Sequence, residues 1–189
     1  MKSTIKIREL ELEDEQIKHQ VAEILFSSFE ESAPEAWPSV RAAREEVEES
    51  FGPGRISLVA IEGSKALGWI GAIRQYNGHT WELHPLAVHK QERGRGVGKA
   101  LVKELEKRVA DRGALTLWVG TDDEEGSTSL FGQDLYPDPV GMLKSIRSTN
   151  QHPFAFYLKV GFVLCGILPD ANGFGKPDIF MSKRVRKLD

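Results

Sequence analysis

The segment Gln91-Glu92-Arg93-Gly94-Arg95-Gly96-Val97-Gly98-Lys99 concentrates residue types that bind an anion. Glycine lets a backbone approach a ligand closely. Free N–H groups at a helix start, with the helix dipole behind them, favour phosphate. Arg93 and Arg95 add positive charge. The spacing excludes two phosphate loops. A dinucleotide fingerprint requires glycine three residues after Gly96, where Lys99 stands. A P-loop requires glycine at position 93 and Ser or Thr at position 100, where Arg93 and Ala100 stand. On the residues alone two readings remain: a phosphate-binding loop of another kind, or a glycine-rich turn that only starts a helix.

Either reading needs a strand before the loop and a helix after it. Val97, Leu101, Leu105 and Val109 recur every fourth residue, with Val102 beside them. Lys99, Lys103, Glu106 and Lys107 fall opposite, which predicts an amphipathic helix ended by Gly113. Upstream, 56–61, 67–75 and 81–88 read as strands of a meander, turning at Gly63-Ser64-Lys65 and Asn77-Gly78. Before them come a strand within 5–12, a helix over 14–31, a loop holding Trp37 between Pro34 and Pro38, and a helix over 39–51. Downstream, 114–119 reads as a strand, followed by an irregular polar stretch to about Pro139. A short helix holding Phe154, Phe156, Tyr157 and Leu158 then precedes strands over 162–168 and 178–185. This order predicts an α/β (α+β) fold, a mixed central β-sheet with flanking helices.

A length of 189 residues predicts a single domain, 1–189. With 40% hydrophobic and 28% charged residues, collagen, mucin-like and fully disordered classes are excluded. No apolar run approaches a membrane span, and the first fifteen residues show no signal-peptide core. The one cysteine, Cys165, allows no internal disulfide, so a cytoplasmic home is the default. Cys165 falls inside an apolar strand, where a free cysteine behaves as a small hydrophobe and not as a nucleophile. Five histidines and that cysteine show no metal-ligand spacing, so no metal is expected. The net charge is -3, but 13 acids against 6 bases fall in residues 1–50. Nothing provides the basic face a nucleic acid requires. The acidic N-terminal region and Asp122-Asp123-Glu124-Glu125 suit a cationic partner, or are simply solvated faces.

Arg93-Gly94-Arg95-Gly96-Val97-Gly98 resembles the R/Q-x-x-G-x-G/A motif of the GNAT acetyltransferase superfamily, and Gln91-x-x-Gly94-x-Gly96 fits it as well. The later register is preferred because Val97 begins the apolar stripe. Seven further segments extend the likeness. Trp81-Glu82-Leu83-His84-Pro85-Leu86, Gly120-Thr121-Asp122-Asp123, Asp134-Leu135-Tyr136, His152-Pro153, Phe156-Tyr157 and Ala171-Asn172-Gly173, with Lys176-Pro177-Asp178-Ile179, are similar to the aminoglycoside 6'-N-acetyltransferases, above all the chromosomal enterococcal type. The likeness runs from about Trp37 to Lys183. Phe174-Gly175 stands where that family has Trp-Asp, and Phe180 where it has Trp.

The resemblance implies a GNAT fold, acetyl-CoA as acetyl donor, a polycationic amine acceptor and a homodimer. It implies that Arg93, Gly94, Arg95, Gly96, Val97, Gly98 and Lys99 hold the pyrophosphate, with His152 also on the cofactor side. With period two, Glu82, His84, Leu86 and Val88 are expected on one strand face. Pro85 lacks a ladder donor, which predicts a bulge or splayed pairing there. The amides of Leu86, Ala87 and Val88 are then expected to grip the pantetheine arm and the thioester oxygen. Glu82 is the candidate base or ammonium anchor. Tyr157 is the candidate acid for the departing thiolate, or a core aromatic beside Phe154 and Phe156. By resemblance, Trp37, Tyr76, Glu82, Asp122 and Glu125 form the acceptor site, with His89 at its rim. Two alternatives share these residues: acetyl transfer to another amine (polyamine, metabolite or protein N-terminus), or an acyl-CoA-binding module without turnover.

Overall fold

A computed structural model describes residues 5–186. The stretch read for a signal peptide begins in residues 1–4, outside the described residues. Among the described residues no helix is long and apolar enough to cross a membrane. Helices and strands are mixed along the chain, as expected of an α/β (α+β) fold, and their contacts divide them into two compact units. One holds the described residues up to Leu115 with Val185 and Arg186; the other is Thr116–Arg184.

The first unit contains β1 (Lys6–Glu9), α1 (Glu15–Phe29), α2 (Val40–Glu49), β2 (Arg55–Glu62), β3 (Lys65–Gln75), β4 (Thr80–Val88) and α3 (Val97–Asp111). β1 through β4 pair in sequence order, all antiparallel; short turns join β2 to β3 and β3 to β4, while α1 and α2 lie between β1 and β2. α1 starts where the Asp14 carboxylate accepts the Ile17 N–H, and α2 where the Ser39 hydroxyl accepts that of Ala42. The apolar stripe of α1 (Ile17, Val21, Ile24, Leu25) packs with Ala43 and Val47 of α2 on Val59, Trp69 and Ala87. Trp69 keeps its buried indole N–H satisfied by donating to the Ser57 hydroxyl at 2.9 Å. The buried Lys18 ammonium bridges Glu15 at 2.6 Å and Glu48 at 3.1 Å, tying α1 to α2. α3 buries the predicted stripe of Val97, Leu101, Val102, Leu105 and Val109.

The second unit contains β5 (Thr116–Asp122), α4 (Pro139–Lys144), α5 (Phe154–Lys159), β6 (Val163–Leu168) and β7 (Asp178–Arg184). β7 pairs antiparallel with both β5 and β6. Leu130, Leu135, Leu143 and Ile179 form a small core. The helix α4 falls at the end of the stretch expected to be irregular. Asp138 caps it by accepting the Gly141 N–H, and Pro139 occupies its first turn. Cys165 lies on β6 as expected but is exposed, so it is no core hydrophobe.

Candidate functional site

In the first unit, β4 ends at Val88 and a short 3-10 turn, Lys90–Glu92, leads to the glycine loop. His89 caps that turn, its Nδ1 accepting the Gln91 N–H at 3.3 Å. His89 also lines a cleft of about 440 Å³ with Gln20, Glu23, Ser27 and Lys65. Gly94 and Gly96 adopt φ of 80° and 84°, a left-handed backbone that side chains rarely allow. A Cβ at either would meet nothing within 4 Å, so the requirement is conformational and the space above is open. Gly96 opens α3 with no side-chain cap. The N-terminal N–H groups of a fifteen-residue helix are therefore available to an anion. Gly98 is half-buried and Lys99 exposed in this first turn. The Arg93 Nε donates to the Val88 carbonyl at 3.2 Å, which ties the loop to the end of β4. Arg95 is engaged by carboxylates of Glu62 and Glu92. An uncapped helix start, two open left-handed glycines and the exposed cations Arg93 and Lys99 fit a diphosphate.

β4 carries the bulge predicted at Pro85. The ladder pairs Ile70 with Leu86 and Ala72 with Leu83, so Gly71 alone faces His84 and Pro85. A Cβ on Gly71 would lie 2.3 Å from the His84 carbonyl oxygen, so only glycine fits there. One extra residue in β4 reverses its alternation. Glu82 pairs with Ile73, and Ala87 pairs with Trp69, so Glu82 shares the face of β3 that carries Trp69 and packs on α1. Leu86 pairs with Ile70 and Val88 with Gly68, on the opposite face. A Cβ on Gly68 would meet Val88 and Leu101 of α3, which fixes that face as the α3 side. The expected common face of Glu82, His84, Leu86 and Val88 is thus corrected. Glu82 and His84 face the α1–α2 side; Leu86 and Val88 face α3.

That reversal gathers a carboxylate, an imidazole and an aromatic ring on one side of β4 within the first unit. Gln75 donates its side-chain amide to Glu82 Oε2. The His84 ring lies 6.0 Å from the Trp37 ring, and its Nε2 is 3.9 Å from Glu46 Oε1. Trp37 itself packs edge-on against Phe29 at 4.8 Å. Tyr76, at φ 45° and 76% exposed, stands on the turn between β3 and β4 without burial against the core. Sequence reasoning missed Gln75 and Glu46. Cross-strand adjacency to Glu82 is the signal that identifies Gln75. No spacing signals Glu46, which reaches His84 from a separate helix.

The second unit holds the remaining candidates. Asp122 ends β5, exposed, and accepts the Asn172 side-chain amide at 2.6 Å. Its neighbour Asp123 is fully buried and accepts the N–H groups of Ser127 at 2.8 Å and Thr128 at 2.9 Å, folding the acidic run into a loop. Glu125 stays exposed on that loop. His152 is buried: Nδ1 accepts the Phe154 N–H at 3.2 Å, so Nε2 carries the proton and donates to the Asp122 carbonyl at 3.0 Å. Burial holds its pKa below the ordinary histidine value, against the pull of that carbonyl and the nearby aspartates. Tyr157 on α5 is buried between Phe156 at 5.2 Å and Phe162 at 5.3 Å, both edge-on. Burial pushes its phenol above the ordinary tyrosine value. Among the described residues no group of three or more His, Cys, Asp or Glu is arranged to hold a metal ion.

The family model described as Acetyltransferase (GNAT) family matches residues 18–135. A crystal structure of an aminoglycoside 6'-N-acetyltransferase complexed with coenzyme A is 38% identical, with a TM-score of 0.89. The alignment covers 97% of this chain and 99% of that one. The aminoglycoside 6'-N-acetyltransferase from Enterococcus faecium is also 38% identical, at the same coverage and a TM-score of 0.87. An aminoglycoside 6'-acetyltransferase type Ii is 34% identical, again covering 97% and 99%, with a TM-score of 0.73. No curated protein sequence matches.

Proposed function

This chain belongs to the acetyltransferase (GNAT) family, and on that footing we propose that it transfers the acetyl group of acetyl-CoA to the 6'-amine of an aminoglycoside. What carries this reading is 38% identity over 97% of the chain to enzymes of that name, one of them holding coenzyme A. The glycine loop supports the donor half. The group around Glu82, His84 and Trp37 supports the acceptor half, because carboxylates and aromatic faces attract ammonium groups.

In this scheme the diphosphate of acetyl-CoA rests on Gly94, Gly96 and the uncapped N–H groups of Val97, Gly98 and Lys99, with Arg93 and Arg95 flanking. His152 shapes the cofactor side through its backbone contacts. The amides of Leu86, Ala87 and Val88 hold the pantetheine arm and polarise the thioester carbonyl. An alkylamine with a pKa of about 10 is neutral in only ~0.1% of molecules at pH 7. Glu82, oriented by Gln75, attracts the ammonium and accepts its proton directly or through water. The amine lone pair then attacks the carbonyl carbon, giving a tetrahedral oxyanion. Collapse re-forms C=O, breaks C–S and leaves a thiolate and an N-acetyl product. Tyr157 gives its proton to the thiolate and regains one from the proton the nitrogen sheds. A reference phenol is a weaker acid than a thiol by about 1.5 pK units, or about 2 kcal/mol. Burial raises Tyr157 further. Transfer therefore requires the thiolate to share an apolar setting that raises its own proton affinity.

Transfer is direct, with no acyl-enzyme on Cys165. Trp37, Tyr76, Asp122 and Glu125 contact the acceptor's rings and remaining ammonium groups, with His89 at the rim. We read residues 1–189 as one acetyltransferase domain, working as a cytoplasmic homodimer in a resistance-type role. Thiol release from acetyl-CoA with a panel of amines tests the proposal. Release with kanamycin-like aminoglycosides is expected. Release only with polyamines or peptides contradicts the acceptor, and binding of coenzyme A without release contradicts catalysis.

A further inference from the structure

Glu92 is a carboxylate inside a loop read as an anion cradle. A bystander charge there would oppose ligand binding, since like charges repel. Its side chain is only 8% exposed, and both oxygens are taken. Oε1 accepts the Lys65 ammonium at 2.7 Å, and Oε2 accepts Arg95. Arg95 reaches on to Glu62 Oε1 at 3.0 Å. Lys65 and Glu62 are cross-strand partners at the two sides of the β2–β3 turn. The turn is itself held by α1, where Gln20 donates to the Ser64 carbonyl at 3.1 Å and accepts the Ala66 N–H at 2.8 Å. Two anions and two cations thus close a neutral network across four points of the first unit. It fastens the start of the glycine loop to a hairpin that is already braced.

We infer that Glu92 is a positioning residue for the donor: it holds the loop in the one arrangement that turns the Gly94–Gly96 backbone and the open start of α3 toward the diphosphate. The inference rests on the acetyl-CoA reading above. Within it, Arg95 serves the ligand through the loop it braces, while Arg93 and Lys99 supply the unneutralised charge. Lys65 and then Arg95, by hydrogen bonding, hold the Glu92 carboxyl below its ordinary value, so the network stays ionised at neutral pH.

The two possible roles of Glu92 predict opposite signs. If it were only a charge beside the cradle, Glu92→Gln would free Arg95 and tighten coenzyme A binding. As a positioning residue, its loss should raise the Kd for coenzyme A and the KM for acetyl-CoA about tenfold, the scale of lost preorganisation. The kcat at saturating acetyl-CoA should stay within about twofold, because Glu92 touches no reacting atom. Calorimetry with coenzyme A on wild type and Glu92→Gln reads this directly. Unchanged or tighter binding by the variant overturns the inference while leaving the acetyltransferase reading intact. Wild type failing to bind coenzyme A overturns that reading and the inference with it. Should Glu92→Gln not fold, Lys65→Met removes the other end of the same bond. Hydrogen exchange is then expected to rise selectively across residues 93–98, and unchanged protection there overturns the inference.

Discussion

Glu82 and Tyr157 carry the chemistry of the account, and each has a structural alternative that a single substitution separates. Glu82 is fixed by the Gln75 amide on the face that packs toward α1. Glu82→Gln keeps that shape and removes the base. We expect kcat/KM to fall about 10²-fold, with the largest loss at low pH where the amine is most protonated. Equal rates for both proteins across pH 6–9 would remove the role. Tyr157 makes edge-on contacts to two phenylalanines that Tyr157→Phe preserves. Turnover should drop about tenfold or more while coenzyme A binds as before, and wild-type turnover would return the residue to the core. His152 gives a prediction about stability. Burial lowers its native pKa, so the unfolded chain takes the proton first. The stabilisation is complete above about pH 6.5 and is lost as pH falls through the lowered native value. Urea unfolding between pH 5 and pH 8 should show that slope for wild type. A His152→Gln protein should show a flatter curve, and an equal slope would contradict the assignment.

At the scale of elements, the bulge in β4 decides which side chains share the face of Glu82. Gly71 is its counterpart on β3, and an alanine there would push a methyl against the His84 carbonyl. Gly71→Ala should destabilise by about 1–3 kcal/mol in urea unfolding and should raise the acceptor KM more than the acetyl-CoA KM. Equal stability and unchanged KM values would mean the bulge does not need the glycine. Much of this architecture is legible in the residues. The every-fourth-residue stripe of α3 and the turns around Gly63 and Asn77 place helix and strands to within about two residues, because local periodicity reflects burial directly. Pro85 announces the bulge but not its consequence. The reversal of faces depends on counting residues against β3, which a single-strand pattern does not contain. α4 is illegible for a different reason: six residues, with Pro139 and Gly141 among them and only Leu143 buried, give no periodic stripe. The glycine loop is legible as a motif. The partners of Glu92 are not, because Lys65 lies 27 residues away and meets it only once β3 and β4 have paired.

At the scale of the whole molecule, membership of the GNAT family sets the fold and the reaction class, and charge sets the expected behaviour toward a polycation. The first fifty residues, with 13 acids against 6 bases, carry a local charge of -7 in a chain whose net charge is only -3. Attraction between such a surface and a multiply charged amine weakens as salt shortens the screening length from about 10 Å at 0.1 M. The KM for the acceptor should therefore climb steeply with ionic strength; a flat response would argue for an uncharged acceptor. One measurement reaches the central claim most directly: mass spectrometry of a kanamycin-like aminoglycoside after incubation with the protein and acetyl-CoA, with free thiol titrated in parallel. The account predicts a single added acetyl group located on the 6'-nitrogen and one thiol released per product. Acetylation at a different nitrogen, or no modified antibiotic while another amine is consumed, would contradict it.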